Sequence, residues 1–115
     1  MELIKKRHIT KQEESLLEEL ISKANINISF NWRKELLVSD LIDGGMGSLS
    51  LYPPGITDKK REFGSQVSDC QFKDTDGVIV IASLYLDKEG DMYELDIWKT
   101  DFSPLKNIST DFQDI

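Results

Sequence analysis

The chain has 115 residues, of which 39% are hydrophobic and 30% charged, and its formal net charge is -7. That is one domain's worth of chain, long enough to bury a core without staples. The lone cysteine, Cys70, and the lone histidine, His8, exclude a disulfide framework and a Cys/His zinc site. No apolar run approaches the ~18 residues of a membrane helix, and the acidic balance disfavours nucleic acid and anionic lipid as partners.

The basic stretch Lys5-Lys6-Arg7-His8 is followed by no apolar segment of signal-peptide type, so a cytoplasmic protein is expected. Thr10-Lys11-Gln12-Glu13 has the form of a capping box. Leu16, Leu17, Leu20, Ile21 and Ala24 then recur at helical spacing, with Glu14, Glu18, Glu19 and Lys23 between them. The pattern predicts an amphipathic helix over residues 11–24, with Asn25 or Asn27 as its stop. In residues 26–34, Ile26, Ile28, Phe30 and Trp32 alternate with polar residues, but the Asn and Ser positions favour an irregular connection that tucks aromatics into the core.

From residue 36 the period falls toward two. Residues 36–42 and 48–52 read as strands joined at Asp43-Gly44-Gly45-Met46-Gly47, and Pro53-Pro54-Gly55 stops the second. Residues 56–64 read as a charged loop. Residues 65–73, 78–86 and 92–99 form a predicted meander with turns at Asp74-Thr75-Asp76-Gly77 and Asp87-Lys88-Glu89-Gly90. The middle strand is apolar on both faces at its start, which predicts a central position. The polar tail after about residue 105 is expected to fray. The fold class is therefore α+β: an N-terminal helix packed on an antiparallel sheet of about five strands, in one domain over residues 1–115.

Candidate chemistry is sparse. The glycine cluster at 44–47 lacks the Lys-Ser/Thr and the helix that a phosphate loop needs, so it reads as a hairpin. The Asp-rich turns resemble parts of calcium loops. Counting back from Gly77 or Gly90, however, puts Phe72 or Tyr85 at the first ligand position, and the turn reading prevails. Cys70 beside Phe72 reads as a small buried apolar residue rather than a nucleophile partnered by His8. Lys59-Lys60-Arg61 and Lys5-Lys6-Arg7 read as solvated charge. Glu94, Asp96 and Trp98 sit two apart, so they share one strand face. Paired carboxylates beside an aromatic suit either acid–base chemistry, which needs a cleft, or a binding surface.

The stretches Arg7-His8-Ile9-Thr10-x-x-Glu13, Asp43-Gly44-Gly45-Met46-Gly47-Ser48, Phe63-Gly64-x-Gln66, Asp76-Gly77-Val78 and Ala82-Ser83-Leu84 carry a resemblance. So does the closing run Glu94-Leu95-Asp96-Ile97-Trp98-Lys99-x-Asp101-Phe102-Ser103-Pro104-Leu105, its most specific part. Over roughly residues 7–105 the chain resembles a family of small, mostly bacterial proteins known only as a domain of unknown function. The resemblance implies a bacterial cytosolic protein and brings no activity with it.

The expected function is a non-enzymatic protein-interaction module, with neutralisation of a basic partner, immunity-like, as its specific form. Tyr85, Glu94, Asp96, Trp98, Lys99 and Asp101 are the candidate binding residues, with Tyr93 a further aromatic. A small enzyme or ligand-binding protein with an acidic pocket is the alternative. No catalytic residue is assigned, and no metal, cofactor, membrane or nucleic acid is expected.

Overall fold

Thr10 opens the first helix of the computed structural model, which describes residues 5–56 and 60–115. Its hydroxyl accepts the backbone N–H of Glu13 at 3.1 Å, and the Glu13 carboxylate accepts the N–H of Thr10 at 2.9 Å. This reciprocal box satisfies two of the donors that a helix start leaves open. Helix α1 then runs Lys11–Ala24 and ends at Asn25, which adopts the left-handed conformation that asparagine tolerates. Leu16, Leu17 and Leu20 form its fully buried stripe.

Among the described residues six antiparallel strands follow one sheet order, β1-β2-β3-β6-β5-β4. They are β1 (Arg7–His8), β2 (Leu37–Asp40), β3 (Leu49–Tyr52), β4 (Phe63–Lys73), β5 (Ile79–Asp87) and β6 (Met92–Lys99). The sheet has one strand more than the sequence pattern suggests. The addition is β1, too short for any periodicity and held by long-range contacts. Arg7 pairs with Val38 in the ladder, and its guanidinium bridges Glu13 of α1 and Asp40 of β2, each at 2.8 Å.

The connection over residues 26–36 buries Trp32 and Leu36 and half-buries Ile26, Ile28 and Phe30 against the core, with one short helical turn, α2 (Trp32–Glu35). Strand β5 is interior, as its composition suggests, and α1 packs on β4 and β5. Cys70, Phe72, Val80, Ala82, Leu84, Leu95 and Ile97 meet the helix stripe in one core. Burial pushes the Cys70 thiol up to about 11, so it stays protonated and unreactive at neutral pH.

Where fraying is expected after residue 105, the chain instead forms a strap. Ile108 is buried, the Phe112 ring meets Phe72 edge-on at 6.0 Å, and Gln113 pairs with Gln71 of β4. The apolar residues Leu105, Ile108 and Phe112 are too scattered to show a period, yet each finds the core. The strap also helps to blunt edge strand β4. So do two register shifts at Gly64 and Val67, and a hydrogen bond from Lys23 Nζ to the Asp69 carbonyl.

Candidate functional site

The alternation of β6 sorts its side chains cleanly. Leu95, Ile97 and Lys99 are buried, whereas Glu94, Asp96 and Trp98 point to the face opposite α1 and keep part of their surface in solvent. The ladder places Tyr85 directly across from Glu94, Ser83 across from Asp96 and Ile81 across from Trp98, with Ser50 of β3 on the other side of Glu94. Four of the six candidate binding residues therefore share this face, Tyr85, Glu94, Asp96 and Trp98, and Asp101 lies in the turn that follows β6.

Two aromatic pairs bracket the carboxylates. Phe63 meets the Tyr85 ring edge-on at 5.3 Å, and Phe102 lies 6.0 Å from Trp98. Trp98 is 39% exposed and Phe102 69% exposed. Phe102 was missed as a site residue on sequence grounds. Its backbone holds a φ of 63°, a conformation that bulky residues seldom adopt. Asp101 shapes that corner by accepting hydrogen bonds from the N–H and hydroxyl of Ser103 at 3.0 and 2.7 Å.

The electrostatics of the face are frustrated. Burial raises the Glu94 pKa above the usual range, and the charge of Asp96 adds to it. Asp96 is raised by burial and by Asp43, partly offset by hydrogen bonding with Ser48. Tyr85 is raised by burial and by Asp96, opposed by a hydrogen bond with Ser83, with Glu94 adding further. Among the described residues no cation pairs with Glu94 or Asp96.

Lys99 is not part of this face. It lies on the core side at 0% exposure, where Nζ donates to Asp74 at 2.9 Å, to Asp76 at 2.6 Å and to the Pro104 carbonyl at 3.2 Å. Burial works against its charge, and the two carboxylates outweigh that, so its pKa stands above the ordinary value. The signal was present in the sequence: Lys99 shares parity with Leu95 and Ile97, and two aspartates precede it in the neighbouring turn.

The other motifs resolve structurally. The Asp43 carboxylate accepts the N–H groups of Met46, Gly47 and Ser48, the very donors a bound phosphate would require, so the glycine cluster is a self-capped loop. Asp74 accepts Lys99 and the N–H groups of Thr75, Lys106 and Asn107, which commits the first Asp-rich turn to structure. In the second turn Asp87 accepts the N–H groups of Glu89 and Asp91. No cluster of three or more potential metal ligands occurs among the described residues.

The basic run at 59–61 divides. Lys59 lies outside the described residues and Lys60 is exposed, but Arg61 is largely buried where β3 and β6 splay. It donates to the carbonyls of Leu51 and Met92 and to Asp87, and its guanidinium lies 5.5 and 5.1 Å from the Tyr52 and Tyr93 rings. Tyr93, offered above as a binding aromatic, thus already faces an internal cation.

Fold and face together define a small α+β protein: a helix and a strap on one side of an antiparallel sheet, and an acidic, aromatic-rimmed surface on the other. The chain belongs to the family described as domain of unknown function DUF6984, whose model matches residues 6–109. No curated protein matches the chain. No solved structure matches it either. Among the described residues no helix is long and apolar enough to cross a membrane.

Proposed function

We propose that the protein is a non-enzymatic interaction module that engages a basic protein partner through the sheet face of Glu94, Asp96, Tyr85 and Trp98. One observation carries the reading. Two adjacent, half-buried carboxylates lack a cation among the described residues and sit between two aromatic pairs, one of which projects into solvent. Such groups are costly to the isolated protein and are relieved by a partner's positive charge, while exposed aromatics supply apolar contact. The net charge of -7 would speed the encounter. The specific form is neutralisation of that partner, as an immunity protein does, in a bacterial cytosol.

The test is capture from the native host with the wild-type chain and with Glu94→Gln/Asp96→Asn. A stoichiometric basic protein, retained by the first, lost by the second and released by high salt, is the expected result. Recovery of no such protein, or equal recovery by both baits, overturns the reading.

A second reading, a small enzyme or ligand-binding protein, is favoured by the raised pKa values of Glu94 and Asp96 beside Tyr85. The cavities between α1 and the strap, lined by Ser15, Glu18, Thr110 and Phe112 or by Lys11, Asn107 and Ser109, include neither carboxylate. Saturable binding of a small cation at Glu94, abolished by Glu94→Gln in the absence of any protein partner, would favour this reading over the module.

A further inference from the structure

The chain contains three arginines, Arg7, Arg33 and Arg61, and each is seated on acid. Arg7 forks across Glu13 and Asp40, with its guanidinium nitrogens 2.8–2.9 Å from Glu13 and 2.8–3.2 Å from Asp40. Arg33 pairs with Glu18 and Glu14 while lying 4.5 Å from the Trp32 ring centroid. Arg61 pairs with Asp87 and faces Tyr52 and Tyr93. Two of the three thus combine carboxylate and aromatic ring, the pairing that suits a planar, weakly hydrated guanidinium better than a compact ammonium.

The open sheet face repeats that pairing, with no internal cation on it among the described residues. Glu94 and Asp96 supply carboxylates on one face of β6, and Trp98 follows at the next position of the same row. Tyr85 stands across from Glu94, and Ile81 across from Trp98 adds an apolar floor. Phe102, turned outward by its left-handed backbone, extends the aromatic shelf from Trp98.

We infer that this face is an arginine receptor: the partner engages it with an arginine side chain whose guanidinium donates to Glu94 and Asp96 and stacks on the Trp98–Phe102 shelf, in preference to lysine. The inference rests on the basic-partner reading and deepens it by naming the side chain. Charge complementarity selects a cation, and the aromatic shelf selects the planar one. A lysine satisfies the carboxylates as a point charge but leaves the shelf uncovered.

Two labelled peptides of equal length and charge, alternating Gly-Arg and Gly-Lys, serve as probes for the full chain by fluorescence anisotropy and NMR. The arginine peptide is expected to bind about tenfold more tightly, the scale of one cation–π contact. It should shift the indole N–H signal of Trp98 and leave that of buried Trp32 in place. Glu94→Gln/Asp96→Asn should abolish binding of both peptides. Trp98→Ala/Phe102→Ala should reduce the arginine peptide to the lysine level while leaving the lysine peptide unchanged, with thermal melts reporting that each variant is folded. Equal affinity of the two peptides, each lost in the acidic double variant, overturns the arginine preference and spares the basic-partner reading. Binding of neither peptide, or binding indifferent to the acidic double variant, overturns both.

Discussion

Lys99 and Asp74 form an ion pair with no solvent exposure on either side chain, at an Nζ–Oδ2 distance of 2.9 Å. The same carboxylate accepts the N–H groups of Lys106 and Asn107, so the pair also fastens the C-terminal strap. Removing one member of a buried pair costs about 3–5 kcal/mol when it strands buried polar groups. After loss of Asp74, Lys99 keeps Asp76 and the Pro104 carbonyl, but the N–H groups of Thr75, Lys106 and Asn107 lose their acceptor. Asp74→Ala is expected to lose stability on that scale and to loosen residues 104–113. Lys99→Met should cost less, since Asp74 would keep its three backbone donors. Urea melts order the two, and a Lys99→Met protein less stable than Asp74→Ala would refute this account of the site.

The structure also shows which parts of the molecule a sequence reveals. Helix α1 was legible from both ends because Thr10, Glu13 and Asn25 act locally, within a turn of their own backbone. Strands β3 and β6 were legible because one face is buried and alternation records it, and β2 and β5 because short apolar runs are bounded by Asp/Gly turns. The shared face of Glu94, Asp96 and Trp98 followed from the same parity. What escaped was non-local. Strand β1 depends on Arg7 reaching Asp40, 33 positions away. Arg61 sits in a run of cations that looks solvated, and only the splay of β3 from β6 gives it a buried seat. Phe102 belongs to the face through a backbone angle that no pattern of residues announces.

Gly64 illustrates a constraint of another kind. Its φ is not left-handed, yet a Cβ there would lie 2.4 Å from the Asp87 carbonyl oxygen and 2.6 Å from its carbon. The glycine lets β4 bulge against the end of β5, and backbone on backbone has no way to yield. Gly64→Ala is expected to destabilise by about 1–3 kcal/mol, in the range of overpacked sites. Retention of wild-type thermal stability would show that the bulge can relax.

The carboxylates of this protein pull in opposite directions as pH falls. Asp74 is raised by burial, but hydrogen bonds from Lys99 and from the N–H groups of Lys106, Thr75 and Asn107 dominate and hold it down at about 2, against 3.8 when unperturbed. The unfolded chain therefore binds that proton first. The stability Asp74 contributes is whole above about pH 4 and disappears as pH drops toward 2. Glu94 and Asp96 have raised values, so the folded state binds their protons first and gains stability as acidification passes through their range, above 4.5 for Glu94 and above 3.8 for Asp96. The stability curve should thus peak on the mildly acidic side before collapsing. Glu94→Gln/Asp96→Asn should flatten the rise and add about 0.5 kcal/mol near neutrality, a small gain because both carboxylates are half in water and screened. Denaturant melts across the acid range read both effects. A double variant less stable than wild type at neutral pH would mean that the carboxylates are satisfied rather than frustrated.

Phe102 offers the sharpest separation of stability from function. A left-handed φ costs a residue with a Cβ roughly 1–2 kcal/mol, and asparagine relieves part of that through its short polar side chain. At 69% exposure the ring recovers little by burial, and its contact with Trp98 is a single tilted pair at 6.0 Å. Phe102→Asn is therefore expected to raise stability by about 0.5 kcal/mol, and the β-branched Phe102→Val to lower it by about 1 kcal/mol. Both remove the outer half of the aromatic shelf, so both should weaken partner capture despite their opposite effects on the melt. Equal melting temperatures for the two would show that the turn carries no strain. Undiminished capture by the asparagine variant would show that the exposed ring is only a passenger of the turn that Asp101 and Ser103 hold.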